Sequence, residues 1–195
     1  MGAMDRLTIV ILTKNNENYV GHTLENVKDL GVPVLVCDTG STDSTIDVVR
    51  GYGIRVEHVE WKDDFAAARN EALPFVETNW ALYIDSDMMV DDDFEDIWAL
   101  LDTKEYDGWR LPHRYYGDLE RTKVLWPESY PSQNPKLLRV DGKVRWYGRL
   151  HETFKPIELV GKAETPHLLH FDRAVKTPEQ LEATHQLYDR IRSKM

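Results

Sequence analysis

Val32-Pro33-Val34-Leu35-Val36-Cys37-Asp38-Thr39-Gly40-Ser41-Thr42-Asp43 passes from a β-branched apolar run directly into a polar turn. A run without polar alternation reads as a strand covered on both faces, as in a parallel sheet. The Asp-Thr-Gly-Ser-Thr-Asp block that follows carries turn and helix-cap chemistry. The same succession occurs on both sides of it. Leu7 to Thr13 leads into Thr13-Lys14-Asn15-Asn16-Glu17, and Trp80 to Ile84 leads into Asp85-Ser86-Asp87. Helical spacing fills the gaps: Val20, Leu24 and Val27; Ile46, Val48 and Val49; the Ala-rich Phe65 to Leu73; and Phe94, Ile97, Trp98 and Leu101. A further strand is expected over Ile54 to Trp61. Alternating strands and helices imply an α/β fold with a Rossmann-like, mostly parallel sheet flanked by helices. Ligands of such sheets bind at the carboxyl ends of the strands, where all three polar clusters fall.

Beyond residue 104 the rhythm changes. Trp, Tyr, His and Arg become dense, and short strands with turns replace the βα alternation. The end reads as a helix with Thr177 as N-cap, Pro178 at its first position and Gln180 completing a capping box. Leu181, Thr184, Leu187, Tyr188 and Ile191 form its inner stripe, which reads as packing. The expected organisation is one domain over 1–195: a ligand-binding α/β half at 5–103, a β region at 104–176 and the helix at 177–195.

Lys and Arg total 24 against 34 Asp and Glu, a net charge of −10. That balance argues against general nucleic-acid or membrane-surface binding. From Ile84 to Thr103 there are eight acids and no base, and from Lys104 to Arg149 ten bases and six acids. Such runs read either as solvated faces or as a cation site beside a phosphate-facing surface. With one cysteine, Cys37, the chain has no intramolecular disulfide framework and no cysteine-cluster metal site. No apolar run approaches the roughly 18 residues of a membrane span. Met1-Gly2-Ala3 reads as an expression-vector remnant ahead of Met4. No secretory leader pattern follows, which makes the cytoplasm the expected compartment.

Several residues carry candidate chemistry. Asp85 and Asp87 project to one side of a strand end. Adjacent carboxylates repel unless a cation lies between them or one is protonated. Hard oxygen ligands suit Mg²⁺ or Mn²⁺, which usually share their coordination with substrate phosphates; two solvated aspartates would be the plain alternative. Asp38 can accept hydrogen bonds from a nucleobase or ribose, or close an Asx-turn over Gly40. Lys14, Asn15 and Asn16 can line the same crevice or serve as turn residues. Arg69 either projects toward a diphosphate or decorates a surface helix. His151 and Glu152 follow Trp146 and Tyr147, and His167 and His170 flank Leu168-Leu169. These become site residues if the fold brings them near Asp87.

In this order the pieces resemble the family 2 glycosyltransferases, which have the GT-A fold. The resemblance is carried by Ile9 to Asn15, Val36 to Thr45, Phe65 to Asn70 and Ile84 to Asp87, with Asp-x-Gly-Ser-x-Asp the most specific block. Over 104–172 the Gly-x-x-His-Glu segment is similar to that of the small lipopolysaccharide-core-type branch. The resemblance implies a metal-dependent, inverting transfer of one sugar from a nucleotide sugar, UDP favoured, to a glycan or other hydroxyl-bearing acceptor. It implies that Thr13 and Asp38 hold base and ribose, with Lys14, Asn15, Gly40 and Ser86 beside them. Arg69 would approach the diphosphate, Asp87 would bind Mn²⁺ or Mg²⁺, and Asp85 would contact ribose or metal-bound water. The family's acidic pair is missing after residue 96, so Glu152 is the expected base. His151 would either orient it or join the metal together with His170. Trp109, Tyr115, Tyr116 and Trp146 would offer flat surfaces to sugar rings. Arg145-Trp146 lacks the Gln of the processive synthases, which points to single-sugar transfer. Two other readings stay open. A sugar nucleotidyltransferase would normally show a Gly-rich loop, which Thr13-Lys14-Asn15-Asn16 is not. The other is a non-catalytic nucleotide-sugar-binding domain of a larger assembly.

Overall fold

The computed structural model describes residues 6–129 and 136–195; the Met1-to-Met4 reading lies outside them. Among the described residues, thirteen strands and six α-helices follow one another. The first half holds β1 (Leu7–Thr13), α1 (Val20–Val27), β2 (Val34–Asp38), α2 (Thr45–Gly51), β3 (Arg55–His58), α3 (Phe65–Ala72), β4 (Trp80–Asp85), β5 (Met88–Val90) and α4 (Ile97–Leu101). The second half holds β6 (Gly108–Arg110), β7 (His113–Tyr116), β8 (Val124–Ser129), β9 (Leu137–Arg139), β10 (Arg145–Tyr147), β11 (Thr153–Lys155), β12 (Val160–Lys162), β13 (Leu168–His170), α5 (Asp172–Val175) and α6 (Pro178–Arg192).

The main sheet has the order β12-β6-β9-β4-β1-β2-β3. Strands β3, β2, β1 and β4 are parallel, β9 runs antiparallel between β4 and β6, and β12 is parallel to β6. The period of two along each strand divides the core. Leu7, Ile9 and Ile11 face one side with Leu82, Ile84 and the α1 residues Val20, Leu24 and Val27. Val10, Ala81 and Tyr83 face the other, with Ala66, Ala68 and Ala72 of α3. The alanines let α3 lie close against the sheet. Its N-cap is Asp64, whose carboxylate accepts from the Ala67 amide at 2.9 Å.

A smaller sheet, β5-β13-β7-β8, stands over the carboxyl end of β4. Strand β5 begins one residue after Asp87, and β13 pairs His170 with Met88 in register. This brings residues over 80 positions apart to the same strand end. The expected third strand is shorter than its apolar run. The capping box of α6 is formed: the Thr177 hydroxyl accepts from the Gln180 amide, and the Gln180 side chain accepts from the Thr177 amide. Its inner stripe does not form a sealed core, because Leu181, Thr184, Leu187 and Tyr188 are only half-buried and Ile191 alone is fully covered.

Candidate active site

The carboxyl ends of β1 and β4, the start of β7, the end of β13, the Leu150–Glu152 turn and one face of α6 enclose a cleft of about 770 Å³. Five residues lining it carry buried polar atoms without a hydrogen-bond partner among the described residues: Thr13 Oγ1, Arg69 Nη1, Asp87 Oδ1, both ring nitrogens of His113, and His170 Nδ1. Buried polar groups are normally paired. Their convergence on one cleft is the pattern of a site awaiting a polar ligand.

At the floor lies a quartet of charges. Arg69, 3% exposed, donates from Nε to Glu152 Oε1 at 2.7 Å and from Nη2 to Asp85 Oδ1 at 2.9 Å. Lys136, fully buried, donates to Asp85 Oδ2 at 2.8 Å. The Arg69 guanidinium also lies 5.0 Å from the Trp146 ring centroid and 5.8 Å from that of Tyr83. Burial alone would lower the Arg69 pKa, but Asp85 and Glu152 outweigh it and hold the group above its ordinary value. Burial would raise Asp85, and Lys136 and Arg69 hold it well below the usual carboxylate range instead. Lys136 is pulled down by burial, which Asp85 only partly offsets.

Asp87 faces the other way. Its Oδ1 lies 3.4 Å from His170 Nε2, and its Oδ2 accepts from Lys176. Burial opposes its ionisation, and the charges of His170 and Lys176 overcome that and hold its pKa down. Burial likewise opposes charge on His170, but Asp87 raises it above the ordinary histidine value. Tyr19, beside Asn16 and Ser86, is pushed up to about 12 by burial. His113 is driven well below its ordinary pKa by burial first and then by Lys136 and His170, so its imidazole is neutral.

For a divalent ion, Asp87 Oδ1 and His170 Nε2 are a fitting pair, a carboxylate oxygen without a hydrogen bond 3.4 Å from an imidazole nitrogen, with the ion taking the place of the His170 proton. Both Asp85 oxygens are engaged by Arg69 and Lys136. Among the described residues no three His, Cys, Asp or Glu side chains converge as a ready ligand set. An ion here would complete its shell with substrate oxygens and water.

The remaining sequence candidates separate. Thr13, Lys14, Asn16 and Ser86 line the cleft. Asn16 donates to Tyr19 Oη at 2.8 Å and to the Ser86 hydroxyl. Asn15 instead accepts from the Thr42 amide at 2.8 Å and supports the turn after β2. The Asp38 carboxylate closes its own turn: Oδ2 accepts from the amides of Gly40 at 2.8 Å and Ser41 at 3.0 Å, and the Ser41 hydroxyl donates to Oδ1. Gly40 sits at φ +100°, a conformation that favours glycine. His151 is exposed at the rim, 6.2 Å from Tyr188 ring to ring. Glu152 is held by Arg69, from a helix 83 positions away. His167 joins a different network, with Asp93 and Arg114.

The aromatic expectations also divide. Tyr115 lines the cleft, 4.9 Å from His170 ring to ring. Trp109 and Trp146 are core residues at 9% and 3% exposure and present no face to a sugar. Tyr116 stacks on Phe171. Lys136, His113 and Lys176 carry no local sequence signal. Each becomes a site residue only through strands and turns that meet from distant parts of the chain.

Residues 8–156 match the family model described as Glycosyl transferase family 2. Among curated proteins, the chain is 25% identical over 154 residues to the SPbeta prophage-derived glycosyltransferase SunS of Bacillus subtilis (strain 168), covering 75% of this chain and 34% of that one. It thus spans about a third of that relative's length. Among solved structures it is similar to S. aureus TarS 1-349 in complex with UDP, at TM-score 0.61 and 16% identity, covering 93% and 64% of the two chains. It is also similar to glucosyl-3-phosphoglycerate synthase from Mycobacterium tuberculosis in complex with Mn²⁺, UDP and glucosyl-3-phosphoglycerate, at TM-score 0.64 and 14% identity, covering 95% and 77%. These structural likenesses establish the fold.

Proposed function

The chain belongs to glycosyl transferase family 2, and from that premise we propose that it transfers one sugar from a UDP-sugar to an acceptor hydroxyl with inversion. The observation that carries this reading is the convergence of unpartnered buried polar atoms, Thr13 Oγ1, Arg69 Nη1, Asp87 Oδ1, His113 and His170, on one cleft at the strand ends. The UDP bound by one structural neighbour and the Mn²⁺ and UDP bound by the other support the choice of nucleotide and metal.

The nucleotide lies over β1 and β2. Thr13 donates to it, and Asp38 shapes the Gly40–Ser41 turn at its edge. A divalent ion held by Asp87 and His170 would neutralise the charge that grows on the departing diphosphate. Arg69 adds a fixed donor, Nη1, preorganised by Glu152 and Asp85 so that no reorientation is needed as charge develops. Arg69 holds Glu152 Oε1, so Oε2 is the oxygen that takes the acceptor hydroxyl's proton as that hydroxyl attacks the anomeric carbon from the face opposite the diphosphate.

The test is thermal shift with UDP and a panel of UDP-sugars, with and without Mn²⁺, followed by assay of donor hydrolysis without acceptor. A ligand that binds only the folded chain raises its melting temperature in a concentration-dependent way. UDP that produces no shift at any concentration overturns the donor reading. Binding without any hydrolysis or transfer reduces the chain to a nucleotide-sugar-binding domain.

A further inference from the structure

His113 opens β7 at the floor of the cleft and is 1% exposed. Neither of its ring nitrogens has a hydrogen-bond partner among the described residues, and the side chain lines the cleft. A buried imidazole with both nitrogens unmet is destabilising unless something completes it. The charged groups interacting with it are Lys136, His170 and Asp85. Burial first, and then the Lys136 ammonium, keep the imidazole from taking a second proton. A neutral imidazole has one N–H donor and one bare acceptor nitrogen. That pair does not suit a phosphate oxygen, which only accepts, and the Asp85 carboxylate nearby repels an anion. It suits a neutral hydroxyl, which donates and accepts at one atom. The hydroxyl-bearing part of a nucleotide sugar that reaches between the Asp87–His170 side and the Arg69–Glu152 side is the sugar itself.

We propose that His113 holds a hydroxyl of the transferred sugar and so determines which sugar the site accepts. The assignment rests on the UDP-sugar reading given above. His113 contacts the donor without taking part in bond making, so its removal changes sugar preference and leaves nucleotide affinity in place.

The experiment compares the parent with His113→Phe and His113→Gln by calorimetric titration of UDP, UDP-glucose, UDP-galactose and UDP-N-acetylglucosamine in Mn²⁺. UDP affinity stays within about twofold in both variants. The UDP-sugar that binds the parent best loses roughly tenfold or more in His113→Phe, as expected when a buried hydroxyl loses its partners. His113→Gln, which keeps a donor and an acceptor, recovers part of that loss. Ligand-free His113→Phe melts no lower than the parent, because the change removes two unmet polar atoms; a packing histidine would give the opposite. If His113→Phe does not fold, His113→Gln carries the comparison, with a changed order among the three sugars as the supporting result. An unchanged order and strength of preference overturns the role of His113 alone. A parent that binds none of the four nucleotides overturns the donor reading, and this assignment with it.

Discussion

Replacing Arg69 with Met tests whether the floor of the cleft is held by charge balance. The floor sets two cations, Arg69 and Lys136, against two carboxylates, Asp85 and Glu152. Arg69 and Lys136 are 3% and 0% exposed at their side chains, and Glu152 is 4%. Met fits the slot between Tyr83 and Trp146 that the guanidinium occupies, so lost packing is a small part of the effect. What changes is charge. Asp85 and Glu152 are left with Lys136 alone, and Lys136 is already committed to Asp85 Oδ2. Breaking a buried pair from one side costs about 3–5 kcal/mol. At about 2–4 °C per kcal/mol for a chain of this size, Arg69→Met melts roughly 6–20 °C below the parent.

The pH dependence carries the sign. A buried carboxylate stripped of its partner has its folded pKa raised above the unfolded value. Its stabilising protonation is present at low pH and lost as pH rises through the folded pKa. The deficit of Arg69→Met therefore shrinks as pH is lowered from about 8 to about 5. Differential scanning calorimetry at several pH values measures both effects. A variant that melts within about 2 °C of the parent, with the same difference at every pH, refutes the charge-balance account.

Glu152→Gln keeps an oxygen for Arg69 Nε and removes the basicity, so UDP affinity is retained while single-turnover transfer falls roughly a hundredfold or more; undiminished transfer would move the base elsewhere. Asp87→Asn removes the charged oxygen beside His170, so Mn²⁺ binding followed by electron paramagnetic resonance, and any gain that Mn²⁺ gives to UDP binding, are both lost, as they are for the parent in EDTA. Asp63 accepts from Arg190 at 2.8 Å and from Lys194, and Lys194 foremost lowers its pKa to about 2. Its hold on the end of α6 is therefore complete above the ordinary carboxylate pKa of about 3.9 and lost as pH falls toward about 2. Asp63→Asn should show near neutral pH the lower amide protection over 178–192, relative to intrinsic exchange rates, that the parent shows only in acid, and equal protection in the two near neutral pH would count against the latch.

The strand ends were legible because their signals are local. A seven-residue, β-branched run such as Leu7–Thr13 has the length and residue types of a strand covered on both faces, and the polar residues that follow then stand at the sheet's edge. The α6 cap was legible for the same reason, since Thr177, Pro178 and Gln180 lie within four positions. The pairings that turn those edges into a site were not legible. Arg69 and Glu152 are 83 positions apart, and Lys136 and Asp85 are 51 apart. Nothing near Lys136 in the sequence distinguishes it from a surface lysine, and only the approach of β9 to β4 buries it. Trp146, expected to face a sugar, is drawn into the core by Tyr83 and Phe154 and meets the cleft only through Arg69. The same tertiary contact changes what Arg69 means. The family resemblance implied the diphosphate for Arg69 and the acceptor for Glu152 as separate roles. One guanidinium that holds Glu152 through Nε and Asp85 through Nη2, with Nη1 left without a partner among the described residues, joins the two, so a change at either carboxylate alters the donor proposed for the leaving group. Catalytic and structural effects at Arg69, Asp85 and Glu152 are thus expected to be non-additive, and double-mutant cycles among the three measure that coupling directly.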